Sequence, residues 1–98
     1  MAPRALQRAR IITTWWRKNR PGAEEVFEQE FEHVTSKLAS MSARSPLGVI
    51  FGARRGKTIR RILLPKTEQH VYYSIDEIND TIVIRTLWGA RRGRNPKL

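Results

Sequence analysis

Cysteine is absent from this 98-residue chain. That excludes disulfides, cysteine-ligated metal and thiol catalysis, and it fits a cytoplasmic protein. Acidic residues are scarce: 9 Asp+Glu stand against 19 Lys+Arg, for a formal net charge of +10. Such a balance favours polyanionic partners, whether nucleic acid, an anionic membrane or an acidic protein segment. Long apolar runs are also missing. None approaches the ~18 residues of a membrane span, so no spanning segment is expected, and of the polyanionic partners a membrane is not the one expected here. The opening MAPRALQRARII is basic but has neither a long apolar stretch nor a small-residue cleavage site, so no secretory signal is expected. No carboxylate pair, metal-ligand cluster or serine–histidine arrangement reads as a catalytic site, and neither metal nor cofactor is expected.

What is present is distributed unevenly. Residues 1–20 carry six basic groups and no acid; residues 21–46 carry five glutamates against Lys37 and Arg44; residues 47–98 carry eleven basic groups against four acids. The chain reads basic, acidic, basic, with the boundaries at changes of periodicity. Its length predicts one domain with a modest core, because a chain of this size buries only about 60–70% of its unfolded surface.

The first element is a helix predicted from about Pro3 to Asn19. Proline suits a first helical turn, where its missing N–H is harmless. Leu6, Ala9, Ile12 and Trp16 make one apolar stripe at spacings of three and four, widened by Ile11 and Trp15. The tryptophan pair, on or beside that stripe, reads as core rather than as a stacking platform. Asn19-Arg20-Pro21-Gly22 is the break. A second helix is predicted from about Pro21 to Ser42, with Ala23, Phe27, Phe31, Val34, Leu38 and Met41 as its stripe. Its glutamates lie early and Lys37 and Arg44 late, which suits the helix dipole. The tight connection makes an antiparallel αα-hairpin, with Phe27, Phe31, Ile12, Trp15 and Trp16 at its seam.

Residues 43–58 hold most of the loop signals, Ser45-Pro46, Gly48, Gly52 and Gly56, around Val49-Ile50-Phe51, a short strand or an apolar plug. GARRGKT at 52–58 is not a phosphate-binding nucleotide loop. Only three residues separate its glycines where four are needed, and a strand rather than a helix follows. Strands are predicted at Ile59 to Leu64, Gln69 to Asp76 and Thr81 to Trp88. The Glu77-Ile78-Asn79-Asp80 turn makes the last two a hairpin, and short connections make the whole an antiparallel meander over 59–88. Ile82, Ile84 and Trp88 fall on one face of the last strand, Val83, Arg85 and Leu87 on the other. A basic tail, GARRGRNPKL over 89–98, is expected to be irregular and exposed. The fold class is thus α+β: an N-terminal antiparallel αα-hairpin, about 3–42, packed on a small antiparallel sheet of three to four strands.

Trp15-Trp16, Asn19-Arg20-Pro21, Phe27, Phe31, Arg60-Arg61-Ile62-Leu63-Leu64-Pro65, His70-Val71-Tyr72-Tyr73 and Trp88-Gly89-Ala90-Arg91 occur in an order and spacing that cover nearly the whole chain. In that order the chain resembles the RelE/ParE superfamily of toxins from type II toxin–antitoxin systems, closer to the ParE-like branch. Members usually begin with a strand before the first helix. This chain starts where that strand would be ending, which predicts an uncovered sheet edge to which a partner could add a strand.

The resemblance implies a cytoplasmic growth-arrest toxin of the kind that stabilises plasmids. It would inhibit an intracellular target, DNA gyrase first, by binding. A short, acidic, DNA-binding antitoxin would neutralise it in a hetero-oligomer. The basic groups Arg60, Arg61, Arg85, Arg91, Arg92 and Arg94 would dock on the target. Trp15, Trp16, Phe27, Phe31, Arg61 and Tyr72 would meet the antitoxin. The alternative in the same superfamily is a ribosome-dependent messenger endoribonuclease, in which His70 and Arg91 would match catalytic positions. That branch often has a tyrosine near the C-terminus; here Lys97 stands near its place. Arginine stays protonated and is poor at proton transfer, which leaves enzymatic activity open. A further alternative is a nucleic-acid-binding module with no toxic role.

Overall fold

The computed structural model describes residues 2–23, 25–40, 48–76, 78–79, 81–91, 93 and 96. In it two helices precede a four-stranded antiparallel sheet: α1 (Pro3–Asn19), α2 (Val26–Ser40), β1 (Val49–Arg54), β2 (Lys57–Leu64), β3 (Gln69–Asp76) and β4 (Thr81–Gly89). The sheet order is β1-β2-β3-β4, a simple meander. The fold is α+β, with the helices on one face of the sheet. No helix among the described residues is long and apolar enough to cross a membrane.

Helix α1 lies chiefly along β4. Its buried residues are Ala5 and Ile12, flanked by Ala9 and Trp16. The inward stripe therefore begins at Ala5, not at the predicted Leu6, which is 43% exposed. The reason is proximity: Ala2 N–H donates to the Ile84 carbonyl at 3.0 Å, drawing the first turn onto β4. At that range only a small side chain fits beneath the helix. Arg8 Nε donates to the Leu87 carbonyl at 3.3 Å further along. The outer edge of β4 is thus partly satisfied by α1 itself, and β1 is the sheet's other edge strand.

Helix α2 starts at Val26, later than the predicted Pro21. Gly22 sits at φ +89°, a left-handed conformation that no right-handed helix contains. Its residue 20–26 backbone closes instead through turn hydrogen bonds, Ala23 N–H to Arg20 O and Val26 N–H to Ala23 O. Phe27, Val34 and Leu38 are buried, and Phe31 stacks on Phe27 with ring centroids 5.5 Å apart and planes 10° from parallel. The predicted Met41 and Ser42 lie outside the described residues. Phe27, Ile12 and Trp16 join one core, but Trp15 does not; it is 48% exposed.

Sequence signals missed one tie between α2 and the sheet. The Glu30 carboxylate accepts hydrogen bonds from Lys66 N–H (2.7 Å), Thr67 N–H (3.1 Å) and Thr67 Oγ1 (2.7 Å). It caps the four-residue turn 65–68 between β2 and β3, whose Glu68 holds φ +57°. A charged acceptor on three donors is among the stronger hydrogen-bonded arrangements available.

The segment 43–58, expected to be loop, contains β1 and the start of β2. Arg55 and Gly56 both take positive φ, +53° and +78°. That pair makes the two-residue turn whose twist matches a hairpin. The glycines that read as loop signals have local tasks. Gly48, at φ +80°, passes so close to β2 that a Cβ would collide with the Arg61 carbonyl. Gly52 follows a register shift between Ile50 and Gly52. At the other hairpin, Asp76 accepts from Ile78 N–H, Asn79 N–H and Asn79 Nδ2. These bonds, the Asn79 side chain first, hold its exposed carboxyl below the usual carboxylate range.

A second register shift, between Tyr72 and Tyr73 of β3, leaves Arg85 of β4 as an extra, unpaired residue. This bulge reverses the alternation beyond it. Leu87 consequently joins Ile82 and Ile84 on the helix side rather than facing away from them. On the far face Ile59, Tyr72, Ser74 and Thr86 are buried too, so β3 is covered on both sides through residues 71–74. Of the tail, Arg91 and Gly93 are exposed as expected, whereas Pro96 is buried.

Candidate functional site

The residues expected to act together are spread over three places. The first is the sheet face away from the helices. Arg61 pairs with Tyr72 across β2 and β3, and its guanidinium donates to the Tyr72 hydroxyl at 3.5 Å. The same guanidinium lies 5.5 Å from the Phe51 ring centroid. Phe51 meets Tyr72 edge-on at 4.9 Å, and His70 meets Tyr72 edge-on at 6.0 Å. Arg60, its neighbour in sequence, points to the helix side by the alternation of a strand. There it donates to the Gly48 carbonyl at 3.3 Å and faces Tyr73. Tyr73 is fully buried, its hydroxyl has no hydrogen-bond partner among the described residues, and burial raises its pKa against the opposing pull of Arg60.

His70 titrates below its ordinary value of 6.5, first through burial and then through the Arg61 charge. The neutral ring is therefore the form present near neutral pH. A histidine whose pKa is lower in the folded state takes up its proton later than in the unfolded state. Stability is accordingly undiminished above about pH 6.5 and falls as pH drops below it. We expect the melting temperature to fall between pH 7.5 and 5 by less in His70→Gln than in the wild type. Parallel pH profiles for the two proteins would contradict that assignment.

The second place is a cleft of ≈ 400 Å³ between α1 and the 65–68 turn. Ile11, Ile12, Trp15 and Trp16 form its apolar wall; Arg8, Arg20 and Lys66 its basic rim. The two indoles meet edge-on at 5.6 Å, and the Arg20 guanidinium sits 5.8 Å from the Trp15 ring centroid. Gln69 also lines the cleft, and its buried Oε1 has no hydrogen-bond partner among the described residues. Arg91 reaches this rim from the end of β4. It pairs with Glu68 at 2.8 Å, while Ala90 N–H donates to the Glu68 carbonyl. Half-exposed Leu6, Ile11 and Trp15 extend the apolar strip along α1.

The third place is the bulge of β4, where Arg85 stands beside Ala2, Pro3 and Arg4 at the start of α1. Arg92 and Arg94 lie outside the described residues. Thus Arg60, Arg61, Arg85 and Arg91 occupy four different settings rather than one continuous face. Of the residues assigned to a protein partner, Trp15, Trp16 and Arg61 are accessible at least in part. Phe27 and Tyr72 are each 1% exposed and serve packing in the free chain. His70 and Arg91 likewise serve different surroundings, the one beside Tyr72 and the other on Glu68. Comparison with protein-family models, with curated proteins and with solved structures finds no match to this chain.

Proposed function

We propose that this chain is the toxin of a type II toxin–antitoxin pair, of the ParE-like kind. It acts in the cytoplasm by binding an intracellular target, DNA gyrase first, and is silenced by a short acidic antitoxin. The observation that carries the reading is the cleft along α1: an exposed apolar and aromatic strip rimmed by Arg8, Arg20 and Lys66, with Glu68 the one acid on that rim among the described residues and itself paired to Arg91, on a chain of net charge +10. An exposed apolar strip with a polar rim suits a protein partner. The rim's charge suits an acidic, amphipathic segment, with Trp15 and Trp16 as its anchors.

Binding is favoured over catalysis by the separation of the candidate groups. Arg91 is paired with Glu68, and arginine as a residue type is poor at general acid–base work. The endoribonuclease reading retains one supporting feature. The neutral ring of His70 lies beside Arg61 and Tyr72, so a base, a cation and an aromatic surface stand together. Controlled induction in a bacterial host tests the toxin reading against a non-toxic nucleic-acid-binding module. Growth should arrest after induction, a short acidic protein should be encoded immediately upstream of the gene, and its co-expression should restore growth. Unimpaired growth with folded protein accumulating would refute it.

A further inference from the structure

Four arginines converge on one cavity at the far end of α1 from the tryptophans. The cavity, of ≈ 290 Å³, is lined by Ala2, Pro3, Arg4, Arg54, Arg55 and Arg85. They come from three elements: Arg4 from the first turn of α1, Arg54 and Arg55 from the tip of the β1–β2 hairpin, and Arg85 from the bulge of β4. Among the described residues no acidic side chain lines the cavity, and none stands in the first turn of α1. Arg4 is already engaged within the chain, so Arg54, Arg55 and Arg85 are the cationic groups the cavity offers a ligand. Like charges brought together in a folded chain repel. The fold nonetheless spends two irregular features here. The bulge leaves Arg85 out of the ladder, and Arg55 holds a left-handed φ of +53° at a turn position that favours asparagine or glycine.

We propose that this cavity binds a phosphate of a nucleic-acid backbone. The guanidinium fork pairs with the two non-bridging oxygens of a backbone phosphate. A carboxylate presents a similar two-oxygen face, so the choice of nucleic acid rests on the repeated charge of a polyanion meeting this arginine cluster on a chain of net charge +10. The start of α1 has no side-chain cap and adds the positive end of the helix dipole to the same place. Among the described residues no aromatic and no amide side chain lines the cavity, so bases are not read by it and binding there is independent of sequence. The net charge of +10 steers a polyanion toward the surface from a distance. This site is separate from the α1 cleft and from the Arg61–Tyr72 face, and it stands whether or not the chain is a toxin.

The test is binding of a fluorescent single-stranded oligonucleotide across a salt series. One variant removes three of the four cavity charges, Arg54→Ala/Arg55→Asn/Arg85→Ala, leaving Arg4 and the helix start intact, with asparagine at 55 because that position is left-handed. A control, Arg10→Ala/Arg17→Ala/Lys18→Ala, removes the same charge from the exposed face of α1. Circular dichroism establishes that each is folded. A further variant, Arg54→Lys/Arg55→Lys/Arg85→Lys, keeps the charge and removes the forks. At 0.1 M salt the first variant should bind at least tenfold more weakly than the control. Its slope of log affinity against log salt should be shallower than the wild type's by more than the control's is, as expected from lost phosphate contacts. The lysine variant should bind several-fold more weakly than wild type. Equal losses in cavity and control variants would show that binding follows overall charge only. Wild-type affinity in the lysine variant would overturn the role of the forks. Two competitors at matched charge distinguish the ligand. Inorganic pyrophosphate displacing the oligonucleotide more strongly than unlabelled oligonucleotide would make this a site for a free phosphate compound. An oligoglutamate doing so would make it a carboxylate site.

Discussion

Phe27→Ala should remove about 3–5 kcal/mol of stability, the usual cost of truncating a buried phenylalanine. The ring is 1% exposed and packs in the core with Ile12, Val34, Leu38, Val71 and Leu87. Phe31 is stacked on it, so the vacancy cannot collapse without tilting a second ring. Against a total of roughly 5–15 kcal/mol for a native domain, that loss leaves little. Chemical denaturation followed by circular dichroism should show a large drop in midpoint, or a chain already unfolded in buffer. A loss below about 1 kcal/mol would mean that α2 is only loosely held, since neighbours that relax freely are what make such truncations cheap.

Arg91→Ala/Arg92→Ala/Arg94→Ala should do the reverse, leaving the fold intact while abolishing most toxicity. Only Arg91 of the three is among the described residues, and its ion pair with Glu68 joins side chains 83% and 47% exposed. An exposed pair of that kind is worth about 0–1 kcal/mol, so its loss is tolerable. Docking differs, because several guanidinium contacts to phosphate or carboxylate act together in a desolvated interface. Antitoxin binding should survive in part, since the Trp15–Trp16 wall of the α1 cleft is untouched. Growth on induction, with circular dichroism of the purified variant, measures both. Full toxicity in a folded variant would move the target surface to the sheet face or to α1.

Helix α1 and strand β3 were readable from sequence to the residue, because uninterrupted periodicity of 3.6 or 2 is a strong signal. The misreadings share a cause: single residues with unusual backbone conformations. Gly22 at positive φ delays α2, and Arg55-Gly56 turns an expected loop into a hairpin. A one-residue bulge at Arg85 then sends Leu87 to the helix side. Nothing in the composition of Thr81 to Gly89 announces that bulge. The basic character of the chain was legible in its composition, but the grouping of its arginines was not, because strand alternation sends Arg60 and Arg61 to opposite faces. Trp15 and Trp16 both read as core, yet only Trp16, on the stripe with Ala9 and Ile12, packs against it, while Trp15 is half exposed. Glu30 gave no signal at all, because one more glutamate in an acidic helix resembles its neighbours until the 65–68 turn is brought beside it.

Inhibition by binding is the central claim, and one paired measurement tests it most directly. The purified chain is added to ATP-driven supercoiling by DNA gyrase and, in parallel, to ribosomes stalled on a defined messenger. The account predicts that supercoiling is blocked in proportion to added protein and that the messenger stays whole. Cleavage of the messenger in the ribosomal A site, lost in His70→Ala or Arg91→Ala, with supercoiling unaffected, would contradict it.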